Sequence, residues 1–222
     1  MPPVVIVHGS YHQPAHYDAL VERLRARGCL TVVPDIGGLA LPESTRALQA
    51  VVDELPEPPV IVGHSFGGAA AGAIRGAAQL VFLTAWVLDI DETCADLLAS
   101  SDVSGGEAFS AALRPSPDGS SFSIDPALAT ELFYADCSPS DAVRAVSLLR
   151  PDTAANFGLR PPAAHWHDTP SLYVTTTEDR TWPASLPPMF AARCTETVTL
   201  STSHSPYLSH PDEVAALIHR YL

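Results

Sequence analysis

Six short apolar runs divide the chain, and the stretches between them carry apolar residues at helical spacing. Val4-Val5-Ile6-Val7 is continuous and β-branched, the pattern of a strand buried on both faces. Runs of the same kind follow at Thr31-Val32-Val33, Val60-Ile61-Val62, Leu80 to Thr84, Ser171 to Thr177 and Glu196 to Leu200. Ala15 to Arg27 places Tyr17, Leu20, Val21 and Leu24 on one helical face, and Gly28 stops it. Pro42 to Leu55 groups Leu48, Val51, Val52 and Leu55, with Pro56, Pro58 and Pro59 ending the helix. A small-residue helix through Ala69-Ala70-Ala71 follows the third run, Pro183 to Arg193 precedes the last, and a final helix opens after His210-Pro211 and reaches Leu222. Strand and helix alternate, which predicts an α/β fold with a doubly wound, mostly parallel sheet.

From about Val87 to Asp168 the strand pattern disappears, apart from a short piece at Phe122-Ser123-Ile124. Helices are predicted at Thr93 to Ala99, Pro126 to Tyr134 and Ser138 to Leu149, around a loop from Arg114 to Ser121. The last of these opens with Ser138 as N-cap and Pro139 at the first helical position. The chain therefore divides into a core, residues 1–86 and 169–222, and a helical cap, residues 87–168, inserted after the fourth strand and lying over the strand ends.

Composition narrows the class of partner. At 222 residues, 46% of them hydrophobic, the chain can bury one sizeable core. A formal charge of −13 without a basic cluster removes the footprint that nucleic acid or an anionic membrane would need, leaving a small molecule as the expected partner. Cys29, Cys94, Cys137 and Cys194 are scattered without metal-type pairing, and Pro2-Pro3 leads directly into a strand with no secretory pattern. Reduced thiols and a cytoplasmic location are expected. His165 and His167 flank Trp166, but no third ligand stands at useful spacing, so no metal and no other cofactor is expected.

The candidate chemistry centres on Gly63-His64-Ser65-Phe66-Gly67, which joins the third apolar run to the small-residue helix. A strand, a Gly-x-Ser-x-Gly turn and a helix make a nucleophile elbow, with Ser65 as nucleophile. A serine hydroxyl needs a base within reach and a third group to orient that base. His204, in the loop between the last strand and the last helix, is the candidate base, with His210 as rival. Asp179, after the fifth strand, is the candidate acid, ahead of Glu178 and Asp89. Two backbone amides must meet a developing oxyanion: that of Phe66, next after the nucleophile, and that of Ser10, just past His8-Gly9. Tyr11, His12, Trp86, Phe133, Trp166 and Tyr207 are candidates to line an apolar pocket beneath the cap, as are Phe109 and Phe157.

These motifs resemble a known family. Val-His-Gly at 7–9, Gly-His-Ser-Phe-Gly-Gly at 63–68, Phe-Leu-Thr-Ala-Trp-Val-Leu-Asp at 82–89, Thr-Glu-Asp-Arg at 177–180 and Ser-His-Ser-Pro-Tyr-Leu-Ser at 203–209 look like the α/β-hydrolase branch of plant methylesterases, hydroxynitrile lyases and bacterial esterase-like proteins. Phe133-Tyr134, Ser138-Pro139, Asp141 and Leu149-Arg150-Pro151 are similar to the helical cap of that branch. The resemblance implies a six-stranded core, Ser65, Asp179 and His204 as triad, and Ser10 and Phe66 as oxyanion donors. Where the hydroxynitrile lyases carry threonine after the first histidine and lysine after the catalytic histidine, this chain has Gly9 and Ser205, which argues against cyanohydrin cleavage. The leading expectation is a cofactor-independent hydrolase of small or medium apolar esters or lactones. A lyase or cyclase acting on a secondary metabolite, or a ligand-binding member of the fold, are the alternatives.

Overall fold

Strand β1, Val4–Val7, is buried at all four positions and splits its side chains between the two faces of a sheet. A computed structural model describes residues 1–101 and 106–222; residues 102–105, inside the expected cap, lie outside the described residues. After β1, a 3₁₀ turn at Pro14–Tyr17 runs into α1, Asp18–Ala26. Next come β2, Thr31–Val32, α2, Leu41–Asp53, and β3, Val60–His64. The small-residue helix α3, Gly67–Ala71, leads to β4, Gln79–Leu83.

Beyond β4 the chain leaves the sheet. It forms α4, Cys94–Ser100, α5, Glu107–Ala112, β5, Leu113–Pro115, β6, Ser121–Ile124, α6, Pro126–Phe133, α7, Pro139–Leu148, and β7, Asp152–Thr153. It returns with β8, Ser171–Thr176, α8, Leu186–Ala191, β9, Glu196–Leu200, α9, Pro206–Ser209, and α10, Pro211–His219. The main sheet has six strands in the order β2-β1-β3-β4-β8-β9, and every neighbouring pair is parallel, as the alternation of elements implies.

The two-residue period of the strands builds two cores at once. Val5, Val7, Ile61, Leu80, Phe82 and Tyr173 face the cluster that takes in α2, α3 and α8. Val4, Ile6, Val60, Val62, Val81 and Leu172 face the cluster shared with α1 and α10. Each buried aliphatic side chain contributes about 1.5–3 kcal/mol over an exposed one, so strands without a polar face are stable only when covered on both sides.

The insertion departs from a purely helical cap. Its helices begin where their caps say: Ser138 accepts from the Asp141 amide at 3.2 Å with Pro139 next, and Asp125 accepts from the Ala127 amide at 2.9 Å. The stretch expected as a loop, Arg114 to Ser121, is instead part of a hairpin in which Arg114 pairs with Ser123 and Pro115 with Phe122. β7 completes a three-stranded antiparallel sheet. The short strand expected at Phe122-Ser123-Ile124 is present as β6, whereas arginine and proline in β5 hide that strand from a hydrophobicity count. The turn is made by Asp118, which accepts from both Ser116 Oγ and Ser120 Oγ, and by Gly119 at φ +70°. Helix α5 is likewise an addition to the expected elements.

Polar contacts fasten this insertion to the core. His16 Nε2–H donates to the Ala145 carbonyl of α7 at 3.0 Å, and Gln13 Nε2 donates to the Leu148 carbonyl at 2.7 Å. Asn156 Oδ1 accepts from the Leu41 amide that opens α2, at 2.9 Å. Among the described residues, no helix is long and apolar enough to cross a membrane.

Gly67 marks where α3 and the end of β1 come closest, because a β-carbon there would run into the backbone carbonyls of Val7 and His8. Gly67→Ala is expected to cost about 2–4 kcal/mol, the upper range for a single substitution. Gly158→Ala, where no heavy atom lies within 4 Å, should stay within about 0.5 kcal/mol of the parent. Urea-unfolding midpoints of the two variants check this pair.

Candidate active site

The loops that follow β1, β3, β8 and β9 all leave the carboxyl end of the sheet, and the chain order reverses between β1 and β3. In open parallel sheets that crevice is where ligands bind. Here it holds the elbow. Ser65 sits at φ +51°, a conformation a side-chain-bearing residue adopts only when its surroundings impose it. The surroundings are the end of β4 and the backbone just beyond it: the Ser65 amide donates to the Leu83 carbonyl at 3.3 Å, and the Trp86 amide donates to the Ser65 carbonyl at 3.0 Å. Gly9 closes against the same turn, since a β-carbon there would stand 2.8 Å from Ser65 Cβ.

His204 and Asp179 form a buried pair, with side chains 2% and 3% exposed and Nδ1 2.7 Å from Oδ2. Four further bonds converge on the carboxylate. They come from Thr84 Oγ1 at 2.8 Å, Thr176 Oγ1 at 3.1 Å, Thr181 Oγ1 at 2.7 Å and the Thr181 amide at 2.9 Å. Burial alone would raise the Asp179 pKa, but the facing His204 and the Thr181 donors outweigh it and hold the carboxyl below the usual carboxylate range. The carboxylate fixes the proton on Nδ1, so Nε2 is the ring nitrogen with a free lone pair. Ser65 and His204 line the same cavity. Among the described residues no hydrogen bond engages the Ser65 hydroxyl.

Two candidate backbone donors belong to residues of the same cavity. Ser10 and Phe66 both line the cavity, and among the described residues neither amide donates to an acceptor. The Ser10 amide is oriented through its own peptide group: the Gly9 carbonyl accepts from the His12 amide at 3.2 Å and from His8 Nδ1 at 3.0 Å. The Ser10 carbonyl accepts from His12 Nδ1–H at 2.8 Å, and Tyr134 Oη–H donates to His12 Nε2 at 2.9 Å.

The cavity opens to solvent, and the space between its walls, open solvent included, is about 660 Å³. Tyr11, His12, Trp86 and Phe133 line it, together with Phe109 and Phe157 of the inserted segment. Among the described residues, no aspartate, glutamate, lysine or arginine reaches its wall. Two of the aromatic candidates lie elsewhere. Trp166 belongs to the core cluster, donating from Nε1 to the Leu88 carbonyl at 2.9 Å and stacking on His167 at 3.7 Å. Tyr207 is fully buried, stacked on Tyr17 at 4.2 Å. A single buried aromatic reads the same in sequence whether it faces a cavity or a core.

The rival residues also find other partners. Asp89 pairs with His167 Nε2 at 3.1 Å, Glu178 is exposed, and His210 Nδ1 contacts Ser209 Oγ at 2.9 Å. Sequence reading passes over Thr84, Thr181, Trp182 and Asn156. Thr181, two residues after Asp179, makes the local amide-to-carboxylate turn that an aspartate favours, a signal within reach of the sequence. Thr84 and Trp182 meet through a 2.9 Å bond from Trp182 Nε1 to Thr84 Oγ1, which no local pattern announces.

With this geometry in hand, comparison with known proteins is consistent. A family model described as "Alpha/beta hydrolase family" matches residues 4–217. An alpha/beta hydrolase of Aspergillus novofumigatus is 25% identical over 243 residues, covering 98% of this chain and 95% of that protein. A pyrethroid hydrolase from Sphingobium faniae superposes with a TM-score of 0.84 at 22% identity, covering 99% and 96% of the two chains. A methylesterase from Arabidopsis gives 0.80 at 19% identity, covering 99% and 98%.

Four imidazoles near the site stay neutral in the folded chain. Desolvation pushes His8, His12 and His64 below the usual 6.5, and His16 to about 4. Once unfolded they titrate normally, so below pH 6.5 the unfolded state binds more protons and stability falls as pH drops toward 4. Asp179, held low, keeps its contribution throughout that window. Urea midpoints should decline steadily from about pH 7.5 through 6 to 5; a constant midpoint would contradict the neutral assignment.

Proposed function

The chain belongs to the alpha/beta hydrolase family, and from that premise we propose that it is a serine hydrolase cleaving small or medium apolar carboxylic esters or lactones through an acyl-enzyme. The observation that carries this reading is the meeting of four groups on one uncharged aromatic cavity: Ser65 at its strained turn, the Asp179-paired His204, and the unengaged Ser10 and Phe66 amides. Structurally similar proteins named as a pyrethroid hydrolase and a methylesterase support it.

In this mechanism His204 Nε2 takes the Ser65 proton as the hydroxyl attacks the ester carbonyl. The Ser10 and Phe66 amides receive the oxyanion, a contribution of about 3–4 kcal/mol per donor in comparable sites. His204 returns the proton to the departing alkoxide, and water, activated by the same imidazole, then releases the acid. Asp179 holds the tautomer throughout. The facing His204 and the Thr181 donors keep that carboxylate ionised, so it orients the ring without taking its proton.

Among the described residues the wall is mostly aromatic and holds no aspartate, glutamate, lysine or arginine to pair with a buried substrate charge, which favours neutral esters over those carrying a free carboxylate or ammonium. Residues 87–168 act as the cap that sets substrate size: Phe109, Phe133 and Phe157 come from it. Cys29, Cys94, Cys137 and Cys194 are all free, which fits a cytoplasmic, reducing setting.

A burst of p-nitrophenol from p-nitrophenyl butyrate is expected, with a fluorophosphonate labelling Ser65. Ser65→Ala should abolish the burst and labelling and lower kcat by at least about 10³-fold, and Asp179→Asn by about 10³-fold or more. Label found on another residue, or turnover unchanged in Ser65→Ala, would overturn the assignment. Oxygen from isotopically labelled water must appear in the acid product; its absence would indicate elimination or ring closure.

A further inference from the structure

Immediately before Ser65 stands a fully buried histidine that the proposed mechanism does not use. His64 Nε2 lies 2.9 Å from the His204 carbonyl, and its Nδ1 lies 2.8 Å from Tyr17 Oη. A carbonyl can only accept, so Nε2 carries the proton and Nδ1 offers its lone pair to the Tyr17 hydroxyl. Having given its proton to His64, Tyr17 Oη can accept, and the Gly9 amide donates to it at 3.3 Å. The bonds therefore run one way, from the Gly9 amide to Tyr17, from Tyr17 to His64, and from His64 to the His204 carbonyl.

We infer that His64 is a positioning residue: in this single tautomer it sets the base loop and the oxyanion loop at fixed spacing from the nucleophile. The inference rests on the hydrolase reading above and adds to it. Three segments from three different strands end on this chain. Gly9 precedes the Ser10 amide after β1, His64 ends β3, and His204 lies beyond β9. Tyr17 and His64 are 0% exposed and His204 1%, so no solvent competes for these bonds. The rings around His64 are His12 at 5.6 Å, Tyr207 at 4.8 Å and His204 at 4.8 Å, and burial keeps His64 itself uncharged. An apolar residue in its place would leave the His204 carbonyl and the Tyr17 hydroxyl unpaired in a dry interior, and the loops would move to satisfy them.

The test separates positioning from core filling by replacing each ring nitrogen in turn. In His64→Gln the amide nitrogen reaches the place of Nε2; in His64→Asn the side chain reaches only the place of Nδ1. Kinetics on p-nitrophenyl butyrate, the rate of Ser65 phosphorylation by diethyl p-nitrophenyl phosphate, and thermal melts are measured for both, and for His64→Leu and Tyr17→Phe. His64→Asn and His64→Leu should lose about tenfold or more in kcat and in phosphorylation rate, with KM within about twofold, while His64→Gln recovers most of the loss. Tyr17→Phe, which keeps the ring and removes only the hydroxyl, should fold normally and lose about threefold to tenfold in kcat. The inference is overturned if His64→Asn keeps kcat within about twofold of the parent, or if the Gln and Asn variants fall equally and in step with their melting temperatures. A parent protein that neither turns over the ester nor is labelled at Ser65 would instead sink the hydrolase reading, and this inference with it.

Discussion

A carboxylate only 3% exposed has to be compensated from every side, and Asp179 is compensated by His204 and three threonines. Moving an ion out of water costs several kcal/mol that mutual attraction recovers only when geometry and further hydrogen bonds are good. The donors arrive from the end of β4 (Thr84), from β8 (Thr176) and from the loop after it (Thr181). The sheet must therefore be complete before the carboxylate is comfortable, and the imidazole can find its orientation only after that. Fold and site are linked by this single buried charge. Thr84 is held at φ +39°, so the cradle itself is kept under backbone strain.

Around that charge the chain uses neutral imidazoles as fixed connectors. His8 and His12 set the Gly9–Ser10 peptide, His64 spans the elbow and the base loop, and His16 ties the start of α1 to α7 of the insertion. A neutral histidine is both donor and acceptor in one rigid ring, so each can join two segments without adding charge. The arrangement makes the orientation of the Gly9–Ser10 peptide a property of the interior.

The insertion supplies part of the cavity wall, through Phe109, Phe133 and Phe157. Its cluster of Ala112, Ile124, Ala129, Leu132 and Phe133 packs around Tyr11, a core-loop residue forced to φ +68°. Phe133 then reaches 5.5 Å from the His204 ring, so the wall of the cavity and the orientation of the base share one side chain.

Short-range chemistry made much of this legible in advance. Uninterrupted β-branched runs can be stable only as doubly covered strands, and a glycine-flanked serine between such a strand and an alanine-rich helix has few other uses, so the parallel sheet and Ser65 could be read from residues adjacent in the chain. His204 and Asp179 were legible by their place after strands, because a parallel sheet puts those loops at one end. The hairpin at Arg114 to Ser121, the cavity positions of Trp182 and Asn156, and the absence of Trp166 and Tyr207 from the wall were not legible. Each depends on which partner a side chain meets from a distant segment, and an indole or phenol carries the same local pattern in a core or in a cavity. Sequence determined the sheet, the turn and the residues offered as candidates for the site; tertiary contacts alone decided which aromatics face the cavity and which segments the buried histidines join, because those choices are made between residues separated by up to 140 positions.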